Sequence, residues 1–141
     1  MPLLLRTLSI TLMCLLLAPL GAAQAQSKPH RVVIQVSDAD PAKWALALSN
    51  ASNIQQDLGA DQVAIEIVAY GPGIGLLKLE SVLGARISEA IAAGVSVQAC
   101  ENTMRTQKRV RDDMLPRIGH VPAGVVQLMK RQNEGYAYIR P

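Results

Sequence analysis

Val95-Ser-Val-Gln-Ala-Cys100-Glu-Asn-Thr-Met104 is the stretch on which the fold turns. Its first half is apolar and β-branched, as a buried strand requires. Its second half is polar, with Asn102 placed to cap a helix beginning at Thr103. The cysteine falls where strand gives way to helix. Unpaired backbone N–H groups and the positive end of a helix dipole point at such a place, and both favour an anion there, whether thiolate or persulfide.

Outward from this stretch the same alternation recurs. Residues 31–36 read as a buried strand, closed by Ser37-Asp-Ala-Asp40. Asp40 as N-cap and Pro41 at the first helical position open a helix. Trp44, Leu48, Ala51, Ile54 and Leu58 fall at helical spacing before Gly59 ends it. A second strand, residues 62–69, runs into Tyr70 and the turn Gly71-Pro-Gly-Ile-Gly75. A helix follows from about Val82 to Ala93, with Leu83, Ile87 and Ile91 on one stripe and Gly94 as its C-cap.

Downstream, the helix after Cys100 is expected to continue to Leu115-Pro116, carrying Arg105, Lys108 and Arg109 on one face. Residues 118–121 read as a short fourth strand or an extended turn, and Pro122 opens a last helix with Val125, Val126, Leu128 and Met129 as its apolar positions. Residues 136–139 close the chain as a fifth strand, with the rings of Tyr136 and Tyr138 on one side.

Strands alternating with helices at this spacing predict an α/β fold: a three-layer α/β/α sandwich around a five-stranded, mainly parallel sheet with right-handed crossovers. Ligands in such folds bind at the carboxyl ends of the strands, beside a topological switch point. That rim collects Ser37 and Asp38, residues Tyr70 to Gly75 with Gly71 and Gly73 among them, Cys100 to Asn102, and His120 to Pro122. Strand order is not readable from the sequence.

Composition sets the address and excludes some partners. Residues 1–25 read as a cleavable signal peptide: Arg6 is the positive n-region, residues 8–17 are apolar but too short to span a bilayer, and Ala23-Gln-Ala25 is a cleavage signal. The expected location is the periplasm, with no membrane contact after cleavage. Residues 26–30 read as a flexible lead-in, and residues 31–141 as a single domain. The formal net charge of +3, one unit of it in the leader, is too mild for nucleic acid. There is no Phe and a single Trp, so the core is built from Val, Ile, Leu and Ala. Of two cysteines, Cys14 lies in the leader, which leaves Cys100 without an internal disulfide partner in an oxidising compartment.

At the cysteine the sequence resembles the DsrE/DsrF-like family of sulfur-oxidation and sulfur-relay proteins. Gly71-Pro-Gly-Ile74, Ala99-Cys-Glu-Asn-Thr-Met104, Leu115-Pro116, Val121-Pro-Ala-Gly-Val125 and Gln132-Asn-Glu-Gly-Tyr-Ala-Tyr-Ile-Arg-Pro141 carry the resemblance. It implies a small α/β domain that forms homo-oligomers, trimers or hexamers, and exchanges sulfur with a donor or acceptor protein. It also implies that Cys100 accepts sulfur as a persulfide, with no cofactor. The export signal marks an exported branch.

Each residue has a plainer reading. Cys100 as a small buried hydrophobe is the main competitor, and Glu101 beside it would raise a thiol pKa. The glycine turn lacks the lysine of a P-loop and is expected to serve its own backbone, with anion binding second. His120 is within reach of a Cys–His pair only if both share a rim, and no metal spacing joins Cys100, His120 and Asp38. Asn102 and Thr103 are the expected thiolate-stabilising positions, with Asp38, Tyr70, Gly71, Gly73 and His120 along the rim. The alternative function is a non-catalytic oligomeric module that binds a small anion or a partner protein, in which Cys100 is only packed. A thiol oxidoreductase ranks last, because no resolving cysteine remains.

Overall fold

Five short apolar runs assemble into one sheet in a computed structural model that describes residues 27–141. The signal peptide read at residues 1–25, with Cys14, lies outside them. The strands are β1 (His30–Val36), β2 (Val63–Ala69), β3 (Ser96–Cys100), β4 (Gly119–Val121) and β5 (Ala137–Ile139). Their order is β4-β3-β2-β1-β5, and every neighbouring pair is parallel. His30, read as the end of the lead-in, belongs to β1 and donates its N–H to Gln62 O at 3.1 Å.

Helix α1 (Pro41–Leu58) starts where its cap dictates, with Asp40 Oδ1 accepting the Ala42 N–H at 2.9 Å. It buries Trp44, Ala47, Leu48 and Ala51, while Leu58 at its far end stays exposed. Helix α2 (Gly84–Ala92) is shorter at its start than its apolar stripe indicated. The preceding residues are spent on turns, Ser81 N–H to Lys78 O and Leu83 N–H to Ser81 Oγ. The glycine turn is a 3-10 helix, Gly71–Leu77, that buries Ile74, Leu76 and Leu77.

The largest departure follows the cysteine. Helix α3 (Glu101–Thr106) ends well before Leu115. Lys108 takes a left-handed conformation, φ 52°, with its N–H on Arg105 O and the Arg109 N–H on Met104 O, which closes the helix without a glycine. Lys108 and Arg109 are therefore not on a helical face with Arg105. Asp113 Oδ2 then accepts the Val110 N–H and starts a short 3-10 turn, Arg111–Asp113. Met114 beyond it is buried and bridges antiparallel to Lys78. The last helix, α4 (Gly124–Asn133), begins two residues after Pro122, whose carbonyl is taken by the Asn102 N–H at 3.1 Å.

The connections explain the layers. The chain steps from β1 to β4 in one direction, and Trp44 and Leu48 of α1, Ile87 of α2 and Met104 of α3 join Ile34, Ile67 and Val97 in one apolar cluster on one face. It then reverses across the sheet to β5, and a right-handed crossover made in the opposite direction covers the opposite face. There Leu128 of α4 meets Val33 and Val68. Strands β3 and β4 are thus neighbours whose following helices leave to opposite faces. The topological switch point lies between their carboxyl ends.

Candidate functional site

Cys100 is the last residue of β3 and the N-cap residue of α3, so strand passes into helix with no linker. Asn102, expected to cap a helix from Thr103, sits inside the first turn instead. Its N–H is committed to Pro122, and its side-chain oxygen accepts from the Arg105 guanidinium. Ala99 faces the α1 and α2 side, and side chains alternate along a strand, so Cys100 faces the α4 side. There the Gly124 N–H, the first of α4, donates to Cys100 Sγ at 3.3 Å.

Burial pushes the Cys100 thiol up. The Thr103 hydroxyl outweighs it together with the amides of Thr103, Gly124 and Asn102, and the thiol ends below the ordinary cysteine value. Thr103 is itself oriented, because its Oγ1 accepts the Gly71 N–H at 2.9 Å, leaving the hydroxyl proton for the sulfur. Glu101 is not among the groups that shift the thiol, its charge being paired with Arg111. A hydrogen bond from the Arg111 guanidinium at 2.5 Å holds its carboxylate below the usual range.

The thiol is closed off from solvent. Cys100 is 4% exposed, covered by the turn that leads from β4 into α4. A cavity of about 270 Å³ is lined by Gly71, Pro72, Asn102, Thr103, Thr106 and Gln107. Thr103 thus touches both the cavity and the sulfur. Another hollow, about 200 Å³ between α1 and α2, lies at the amino end of β3, with Ser52, Gln55, Arg86 and Glu89 as its polar lining.

The remaining rim residues divide. Gly71 reaches the site through Thr103, with φ +53°, and Tyr70 reaches it through Gly124. Gly73 serves the backbone: its N–H meets Ser37 O at 3.2 Å, and a Cβ there would collide with the Val36 carbonyl. Asp38 lies at the end of β1, two strands from Cys100, held by Lys43 at 3.2 Å and Arg140 at 3.8 Å. His120 pairs in register with Ala99 and so points to the face opposite Cys100, which rules out a Cys–His pair. Burial, then Arg111, lower its pKa against Glu101, and its Nε2 is buried without a hydrogen-bond partner. Gly124 was not singled out in the sequence as a site residue, although it stands in the Val121-Pro-Ala-Gly-Val125 segment; only the fold brings its amide to the sulfur.

The five-stranded parallel sheet with helices on both faces agrees with the likenesses found among known proteins. The model of the DsrE/DsrF-like family matches residues 30–141. This chain belongs to the DsrE/DsrF-like family. Membership places it among sulfur-relay proteins in general. Among solved structures, the chain is similar to MTH1491, a protein of unknown function from Methanobacterium thermoautotrophicum, at 38% identity. That likeness covers 79% of this chain and 99% of the other, with a TM-score of 0.76. No curated protein matches the chain.

Proposed function

We propose that this DsrE/DsrF-like chain is a periplasmic sulfur carrier in which Cys100 accepts sulfane sulfur as a persulfide and hands it to a partner. The observation that carries the reading is the Gly124 N–H donated to Cys100 Sγ at 3.3 Å, beside the Thr103 hydroxyl and amide that also favour its thiolate. In the first half-reaction Cys100 Sγ⁻ attacks the outer sulfur of a donor persulfide. The donor S–S bond breaks as the new one forms, and the donor sulfur leaves as thiolate. Cys100 is oxidised to the persulfide and the donor cysteine is reduced, so no outside oxidant is required. The second half-reaction is the same exchange with Cys100 as leaving group.

The amides beneath the sulfur stabilise negative charge at Sγ in both half-reactions. A donor must first shift the turn over Cys100, because attack needs a line of approach to Sγ. The proposed assembly is a homo-oligomer that meets a donor or acceptor protein at this rim. Treatment of the purified chain with polysulfide is expected to add the mass of one or more sulfur atoms at Cys100. Equal gain by wild type and Cys100→Ser, or gain by neither, contradicts the carrier reading.

The burial of Cys100 favours a second reading, an oligomeric anion-binding module with a packed cysteine. In that case native protein reacts slowly with thiol reagents, and phosphate or sulfite raises the melting temperature equally in wild type and Cys100→Ser.

A further inference from the structure

The amide that meets the sulfur belongs to the first residue of α4, one of four N–H groups at that end with no acceptor inside the helix. What aims it is visible on its other side. A Cβ built on Gly124 would lie 2.9 Å from Tyr70 Cβ, 3.1 Å from Cδ1 and 3.2 Å from Cγ. The Tyr70 side chain therefore rests on the bare Cα of Gly124, at a distance no other residue type allows. Tyr70 is itself fixed by its backbone, N–H to Val36 O at 3.1 Å and C=O accepting from Gly73 N–H at 3.1 Å. Its ring packs against the Val33, Val68 and Leu128 cluster, so the end of β2 and the start of α4 are registered against each other.

We propose that Tyr70 is a positioning residue for the thiol, holding the Gly124 N–H on Cys100 Sγ by pressing on the Gly124 backbone. The inference deepens the carrier reading by naming what sets the nucleophile. The fit is steric, between the Tyr70 Cβ with the near edge of its ring and the methyl that Gly124 lacks, so the phenol oxygen has no part in it. Charged and titratable groups on the adjoining elements are Glu101 and Arg105 on α3, Arg111 beyond it, His120 on β4, Glu66 on β2, Lys130 and Arg131 on α4, and Tyr70 itself. The thiol is nevertheless shifted by burial and hydrogen bonds alone.

The test is the pH midpoint of Cys100 alkylation by iodoacetamide in the full chain. Tyr70→Phe keeps the wild-type midpoint, because the ring remains. Tyr70→Ala raises it by about one unit, and Gly124→Ala does the same, each slowing alkylation about tenfold at neutral pH. In the double variant the contacts with Cγ and Cδ1 are gone and only the residue-70 Cβ, at 2.9 Å, still meets the added methyl, so the combined shift is smaller than the sum of the two. A Gly124→Ala midpoint equal to wild type overturns the proposal whether or not Tyr70→Ala folds. Fully additive shifts, or a raised midpoint in Tyr70→Phe, overturn it as well. Absence of persulfide loading in wild type with these midpoints as stated would remove the carrier reading and leave the positioning role standing.

Discussion

On the face covered by α1 and α2 the sheet presents Ile34, Ile65, Ile67, Val97 and Ala99, and its partners are Trp44, Leu48, Ile87 and Leu77. On the α4 face the same strands present Val33 and Val68 together with Gln35, Glu66, Gln98 and Cys100. Glu66 is 3% exposed and receives Nε and Nη2 of Arg131 at 3.0 and 2.8 Å and the Gln127 amide at 2.7 Å. Gln35 accepts from the Tyr138 hydroxyl at 2.6 Å. The first face stabilises by apolar burial, which is insensitive to direction. The second fixes direction, because each buried polar group has one geometry in which it is satisfied. The thiol belongs to the directional face, and α4 is seated there by the Arg131 pair at one end and the Gly124 contact at the other.

The comparison breaks first on stability. Ile67→Ala on the apolar face should cost about 4 kcal/mol in denaturant unfolding, since the side chain is fully buried in the cluster. Its Cys100 alkylation midpoint should stay at the wild-type value while the variant is folded. Arg131→Ala should cost about 3 kcal/mol, because Glu66 is left buried without its cation. Glu66→Gln combined with Arg131→Met should recover most of that loss. Equal losses in the single and double variants would mean that the pair is not the directional anchor described here.

A smaller effect sharpens the contrast. A thiol whose folded pKa lies below its unfolded value of about 9.0 loses its proton first in the folded chain. Stability then rises with pH from the folded midpoint up to the unfolded one, and is lost again as pH falls through the folded midpoint. Unfolding free energy measured from neutral pH to about pH 9 should show this upward component in wild type and not in Cys100→Ala. His120 acts in a different window: its folded pKa is lowered, so the unfolded chain takes the proton first and stability falls as pH drops below about 6.5.

Much of the fold was legible because local pattern and tertiary role agree. The β-branched runs became β1 to β3, and Asp40-Pro41 opened α1. Strand order was not legible, since a parallel strand's choice of neighbour leaves no local mark. The premature end of α3 escaped because a lysine, Lys108, occupies the left-handed position where glycine is the usual signal. For the site, the strand-to-helix junction at Cys100 was readable, although the helix begins at Glu101 and not at Thr103. The face of His120 was not: β4 is three residues long, and only its register with Ala99 fixes which way the ring points. The role of Gly124 is tertiary in origin, made by Tyr70 at the end of a distant strand.

The account stands on the ionisation of one sulfur, and the pH dependence of Cys100 alkylation in the native chain, set beside that of the chain unfolded in urea, measures it directly. A native midpoint below the unfolded one is the predicted result. A native midpoint at or above the unfolded one would contradict it, for burial would then outweigh the hydroxyl and amides gathered around Sγ.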